Sequence, residues 1–493
     1  VSLIFSVFLL LLSPGYTGLV QTEQQPSHRI ALSFSNDDFI PSELQLALLE
    51  DLNIRLFEIS DPSVASNLTD SRYRFLIDAG PEFSVPGVLA PQIGELTAGV
   101  LTRIEEFRRQ TGDRIAAISI FRYPFETYGD FSQLASVFAD SLGEEFSDPL
   151  YYHSAFPASD VLPDGFNFTS KRAEPGQNLQ IVFPVIHVKP TENQYETYRL
   201  LNDIFSDLEQ REESITILPA RWFFNQIEQR SELRFLFGDF TSGKTITFPL
   251  PEQPEPQPYM NWSVLLLLLI WGSYALHFRY QPIYSQSMTR YFTNHAFFVD
   301  DVMENRLRNI LPGIILLTQH ALLTGLFVFA CTEVLISSLG LEVIRDYFQP
   351  FMFFQSTTLS LFLSAVFVAI LLQTVSVIWI YVSNKKLNSV SQVLNLYSWP
   401  LHLNLFVVTF LVVFNRVGFN EIWTLILGSL FMLIWFFSYN IAAIDSSRFL
   451  EKGRGIFLTI TVGVHVCLVM GILIYLFFTP SVLEPIIFAI EVP

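Results

Sequence analysis

Cysteine is scarce. The 493 residues hold two, Cys331 and Cys467, both in apolar stretches after Trp262. The part before Trp262 has none, so it carries no disulfide framework and no thiolate metal site. Charge is also scarce, at 15% against 50% hydrophobic residues. Soluble domains carry about 25% charged residues, so the shortfall points to membrane content. Positive charge is the third shortage. Residues from Trp262 onward hold 11 acidic and 11 basic side chains, so the whole net charge of −18 lies before them. Phosphate recognition wants clustered Lys and Arg, which excludes nucleic acid as a partner. No polar stretch after Trp262 is long enough for a kinase or cyclase domain, which excludes a one-chain signalling enzyme.

What is present divides at Trp262. The stretch 262–278 has no fixed charge and is just long enough to span hydrocarbon as a helix. Trp262 stands where an interfacial anchor lies, and Arg279 follows the apolar run. Near the start, 3–12 is a short apolar core followed by Gly15 and Thr17. It is too short to span, and the small residues suit cleavage, so 1–18 reads as a signal peptide. The segment behind it is then exported.

Between these landmarks strand-like and helix-like runs alternate. Strands are expected at 30–35, 54–59, 73–78, 114–121, 150–153, 179–187, 215–218 and 233–239. Amphipathic helices are expected at 42–51, 94–110, 131–142, 192–209 and 221–229. Such alternation indicates an α/β domain over 28–249 with a parallel sheet, and eight strands fit a compact (β/α)8 barrel. Barrel sites sit at strand C-termini. The residues expected there as ligand-binding groups are Asp38, Glu58, Asp78, Arg122, His153 and Trp222. Carboxylates, Arg and aromatics on one rim suit a sugar: aromatic faces stack on pyranose rings and carboxylates bind hydroxyls. No metal site and no cofactor is expected.

The segments Ile30-Ala31-Leu32-Ser33-Phe34-Ser35, Leu52-Asn53-Ile54-Arg55-Leu56-Phe57-Glu58 and Pro149-Leu150-Tyr151-Tyr152-His153-Ser154 resemble barrel strands of glycoside-hydrolase-like domains. That resemblance covers about 30–249. It implies two carboxylates flanking a scissile bond, typically after the fourth and seventh strands. Glu126 follows the fourth, and Asp239 ends the stretch read as the eighth; these are the catalytic candidates. After the stretch read as the seventh, Leu218-Pro219-Ala220-Arg221-Trp222 offers no carboxylate. The resemblance therefore implies binding of a glycan or a protein, with a membrane-tethered hydrolase as the alternative. Residues 74–78 and 112–121 also resemble part of a von Willebrand A domain. Its Asp-x-Ser-x-Ser metal motif is replaced here by Asp78-Ala79-Gly80-Pro81-Glu82, so the metal ligands do not carry over. Gly238 to Thr245 ends like a phosphate loop but lacks the first glycine, and reads as a hairpin turn.

A proline-rich linker follows over 250–261, extended and semi-rigid. Six spans are then expected at 262–278, 310–336, 351–382, 396–414, 422–440 and 456–478, with an apolar tail at 480–493 on the outer interface. The layout over 262–478, with an Arg- and aromatic-rich loop after the first span, resembles an uncharacterised bacterial six-helix envelope family catalogued only as a domain of unknown function. His320, His402 and His465 fall at similar depth in their spans. Three roles are open to them: a haem or metal site, a proton relay, or hydrogen bonding between helices alongside Gln319, Gln373 and Asn404. The combined expectation is a multi-pass protein of the bacterial inner membrane with its N-terminal domain in the periplasm. Its partners are the lipid bilayer and a glycan or envelope protein. A transporter or redox subunit built on the histidines is a further alternative.

Basic residues set the orientation. Arg279, Arg290, Arg306, Arg308, Lys385, Lys386, Arg448, Lys452 and Arg454 fall in the loops that an exported N-terminal domain places inside, against Arg345 and Arg416 outside. Reporter fusions after Pro258 and after Phe478 are expected on the exported side, and a fusion within 383–388 in the cytosol. A cytosolic signal after Pro258 would overturn the arrangement.

Overall fold

The computed structural model describes residues 29–34, 39–127, 131–143, 146–156, 162–175, 185–191, 193–208, 215–253 and 261–493. The expected signal peptide, Asp38 and most of the linker lie outside these. The chain forms two compact units, Val1–Gln257 and Pro258–Pro493.

The first unit is a closed barrel of eight parallel strands. These are β1 Ile30–Ser33, β2 Leu56–Ile59, β3 Arg74–Asp78, β4 Ile115–Arg122, β5 Leu150–Ser154, β6 Phe168–Ala173, β7 Val185–Val188 and β8 Ile215–Pro219. Each strand pairs with the next in sequence, and β8 closes on β1 with Ile217 opposite Ala31. Helices wrap the outside, and local chemistry sets their ends. Ser42 and Gln45 form a capping box at the start of Glu43–Asp51. The Ile93–Thr111 helix buries Val100, Ile104, Phe107 and Thr111, which recur at helical spacing. It stops at Gly112, whose φ of 60° suits glycine. The main core lies between strands and helices, where Phe57, Phe75, Ile104, Phe107, Phe121 and Phe138 are fully buried.

Two expectations fail together. The stretch 233–239, read as a strand, lies in the helix Ser231–Thr241. Leu233, Phe237 and Phe240 are buried at helical spacing, while Phe235 is 72% exposed. In a strand Phe235 would share the face of Leu233 and Phe237. The missing strand is β6, whose Lys171 and Arg172 disguise it. Gly238–Thr245 is consequently no hairpin; it is the end of that helix, with Gly243 at φ 77° and Lys244 Nζ 2.6 Å from Asp239 Oδ1. Closure of the sheet likewise sets aside the von Willebrand A likeness, because β3 and β4 are neighbours in a barrel.

The second unit has six helices long and apolar enough to cross a membrane: Trp262–Tyr280, Leu311–Leu335, Thr357–Ser383, Val390–Val417, Glu421–Ser446 and Arg454–Phe478. The fourth starts earlier than expected and consists of Val390–Leu401 and Leu403–Val417, interrupted at His402, two residues past Pro400. Every residue from Ser391 to Leu401 is buried, so this span is the hub of the bundle. Contacts sort the connections into two ends. At one end Gln392 Nε2 donates to the carbonyls of Val302 (3.1 Å) and Met303 (2.9 Å). There too Asn384 Nδ2 donates to Ser446 O (2.7 Å), and His295 Nε2 meets Asp445 Oδ2 at 2.8 Å. At the other end Arg416 pairs with Glu333 at 2.9 Å, and the tail folds as the helix Pro480–Glu491 against Ser338–Tyr347. This sorting is what six antiparallel crossings require.

Glycine permits the closest approach in the barrel wall. A Cβ on Gly80 would lie 2.1 Å from the carbonyl oxygen of Ile120, whereas one on Gly99 meets nothing within 4 Å. Gly80→Ala is therefore expected to lower barrel stability in the full chain by about 1–3 kcal/mol, as overpacking does. Gly99→Ala, in an exposed helix interior, should raise it by up to about 1 kcal/mol. Denaturant midpoints check the pair, and equal effects would show that the wall is not packed this tightly.

Candidate functional site

Barrel closure sends every second strand residue inward. The inner floor is apolar: Ala31, Leu56, Leu76, Ala117, Tyr151, Phe168, Val185, Ile215 and Ile217. Two residues further along the strands the layer turns polar, with Ser33, Glu58, Asp78, Ser119, His153, Ser170 and His187. On β4 the register shifts between Ser119 and Phe121, which turns Phe121 to the outer core and sets Arg122 beside His153. Arg172 follows Ser170 on β6. All of these polar groups are buried.

Glu58 is the centre of this layer. Tyr151 OH donates to its Oε1 at 3.2 Å, and His153 Nε2 lies 2.9 Å from the same oxygen. His187 Nε2 lies 3.8 Å from Oε2. His153 Nδ1 is 2.7 Å from Ser170 Oγ, which orients the ring. Burial alone would push the Glu58 carboxyl up. The charge and hydrogen bond of His153, then His187 and Arg122, override burial and hold it below the usual carboxylate range. Burial also drives the Tyr151 phenol well above its ordinary value, reinforced by Glu58.

Asp78 lies on the neighbouring strand and behaves oppositely. Burial outweighs Arg122, whose Nη1 is 3.4 Å from Oδ2, and the carboxyl rises. Its Oδ1 makes no hydrogen bond among the described residues. The same holds for both ring nitrogens of His187, which burial keeps neutral down to about 3. Over the layer lies Tyr123, a bulky residue held at φ 55° by its N–H bond to His153 O (2.8 Å). Strain of this kind persists where surroundings over-determine it, often at sites. The Arg172 guanidinium sits 4.9 Å from the Tyr123 ring centroid.

The structure thus gathers Glu58, Asp78, Arg122 and His153 in one lumen. It places the other candidates elsewhere. Glu126 accepts from Tyr152 OH at 3.0 Å and from Ser154, and lies 3.9 Å from Lys171 Nζ. Tyr152 belongs to the outer core, so this buried cluster stands outside the strand wall. Asp239 is half exposed on a helix and paired with Lys244, because the strand expected there does not exist. Trp222 packs on the outer core from the helix Ala220–Gln229. Ser170 and Arg172 went unread with β6. His187 was legible as the end of a strand.

In the membrane unit the three histidines do not share a site. His320 Nδ1 is 2.7 Å from Gln373 Nε2, and its Nε2 is 3.0 Å from Asn404 Nδ2, joining the second, third and fourth spans. A neutral imidazole has one donor and one acceptor, so one amide must turn its oxygen to the ring. His465 Nδ1 meets Asn440 Oδ1 at 3.3 Å, between the fifth and sixth spans. The His402 ring packs on Tyr274 at 4.6 Å. Among the described residues no group of three or more His, Cys, Asp or Glu is placed to hold a metal ion.

The chain matches no family model, no curated protein and no solved structure.

The unfolded chain binds a proton at His187 near 6.5, while the folded barrel refuses it until about 3. Stability therefore falls as pH drops through that window, because the unfolded state holds more protons. Glu58, depressed on folding, acts in the same direction, and Asp78, raised on folding, opposes it. His187→Asn is expected to flatten the decline in unfolding midpoint between about pH 6.5 and pH 4. A variant that declines in parallel with the wild type would show that His187 does not stay neutral.

Proposed function

We propose that the chain is a multi-pass protein of the bacterial inner membrane whose barrel stands on the exported side and binds a glycan. One observation carries this reading: Asp78 Oδ1 and both nitrogens of His187 are buried in the barrel lumen with no hydrogen bond. Buried polar atoms cost free energy unless paired. A carboxyl oxygen on β3 and, across the lumen on β7, an imidazole that both donates and accepts match hydroxyls, which also do both. A polyol offers many hydroxyls. The six long apolar helices and the skew of basic residues support the membrane placement. The likeness to an uncharacterised envelope family and to glycoside-hydrolase-like barrels points the same way. A role in envelope assembly, transport or polymer handling follows, with an envelope protein as the alternative ligand.

A second reading has its own support. Glu58 and Asp78 sit on adjacent strands with their proton affinities pushed in opposite directions. That is the pattern of an acid and a base in one site. Against hydrolysis, Glu58 is engaged by Tyr151 and His153, which leaves it poorly placed to attack.

Affinity of the detergent-solubilised full chain for cell-wall oligosaccharides tests both readings. Binding without turnover is expected, and Asp78→Asn and His187→Ala should each weaken it about tenfold, the loss of a hydrogen bond to a charged or buried group. Hydrolysis abolished by Glu58→Gln would promote the enzyme reading. Absence of oligosaccharide binding would reject the glycan.

A further inference from the structure

Among the described residues, the buried side-chain polar atoms of the membrane unit that make no hydrogen bond are Gln281 Oε1, Tyr284 OH, Ser398 Oγ, Trp399 Nε1, His402 Nε2 and Asn404 Oδ1. Four of the six lie within seven residues, around Pro400 in the fourth span. Tyr284 joins them directly, its ring 5.2 Å from that of Trp399. Gln281 is the N-cap residue of the helix Pro282–Thr293 that carries Tyr284. Elsewhere the unit satisfies its buried polar side chains, as the His320 and Gln392 contacts show. In hydrocarbon an unpaired polar group is costly, so such a concentration calls for a partner.

The backbone points to the same place. Pro400 has no N–H, so the helix cannot donate to Leu396 O from that position. The next bonds tighten, His402 N–H to Trp399 O (3.1 Å) and Leu405 N–H to His402 O (3.1 Å). Irregular backbone at membrane depth is tolerated where it is buried in protein or lines water. Trp399 only donates, the amide oxygens of Gln281 and Asn404 only accept, and Tyr284, Ser398 and His402 do either. No Lys, Arg, Asp or Glu is among them. A mixed, uncharged set of this kind fits water, which donates and accepts, and buried waters bond to such groups.

The groups also form a line. From Tyr284 the rings continue to Tyr274 (6.1 Å) and from Tyr274 to His402 (4.6 Å). We propose that this stretch of the fourth span lines a water-filled inlet that starts at Gln281 and Tyr284 and ends at His402, giving solvent protons access to that imidazole. The inlet is independent of what the barrel binds.

Hydroxyl-radical footprinting of the unmodified full chain tests it, because radicals formed from bound water oxidise the side chains beside it. Tyr397 and Trp399 are two residues apart and both fully buried, but Tyr397 is hydrogen-bonded to Trp435 (2.9 Å). Trp399 and Tyr284 are expected to oxidise at least about tenfold faster than Tyr397, as bound water requires. In a chain carrying Cys331→Ser and Cys467→Ser, Ser398→Cys should react with a membrane-impermeant, thiolate-specific reagent. Its rate should exceed that of lipid-facing Val413→Cys about tenfold, because only a hydrated thiol ionises. Trp399 and Tyr284 oxidising as slowly as Tyr397 would overturn the inlet, and this outcome decides even if Ser398→Cys does not fold.

Discussion

The barrel depends on burying the Glu58 carboxylate. Closing eight parallel strands forces one side chain in two into a lumen from which solvent is excluded. An ionised carboxylate there is costly unless it is paired and hydrogen-bonded. Tyr151, His153 and Arg122 answer that demand from two further strands. The polar layer is thereby tied together from β2 to β4 and β5. Once Glu58 has taken these partners, His187 and Asp78 are left with buried atoms unmatched. The binding reading thus follows from how one charge is accommodated.

The apolar patterns made most of the fold legible. Seven strand positions, the outer helices and the six long apolar helices are visible as runs of Val, Ile, Leu and Phe with the appropriate period. What fails is the strand that breaks the pattern. β6 reads Phe-Thr-Ser-Lys-Arg-Ala and is buried throughout, because Lys171 is received by Ser154 and Phe156 O, and Arg172 by Glu174. Periodicity cannot show a charge whose partners lie on another strand or past its own end. The omission displaces the strand count, so Leu218 to Trp222, which run from β8 into its helix, read in the sequence as following a seventh strand. Glu126 was misplaced for a related reason. It follows β4 as expected, yet its side chain turns to Lys171 outside the wall, and chain position alone does not fix that direction. Glu58, Asp78, Arg122 and His153 were legible because strand C-termini in a barrel all meet at one end.

The membrane unit shows the complementary case. Its spans were legible from length and apolarity, but its polar pairs were not. His320 finds Gln373 and Asn404 from two other spans, and nothing in the order of residues pairs them. Similar depth alone would allow the three histidines to meet; helix packing separates them onto different contacts. Pro400 was visible in the sequence, whereas its consequence, an interruption crowded with unpaired polar atoms, required the neighbouring helices.

The central claim is that the polar layer around Glu58 is a ligand site. The most direct measurement is a structure of the full chain soaked with cell-wall oligosaccharide. The account predicts a sugar in the barrel lumen with hydroxyls hydrogen-bonded to Asp78 Oδ1 and to a ring nitrogen of His187, and with Glu58 still held by Tyr151. A sugar bound only on the outer surface, with the lumen groups unmoved, would contradict it.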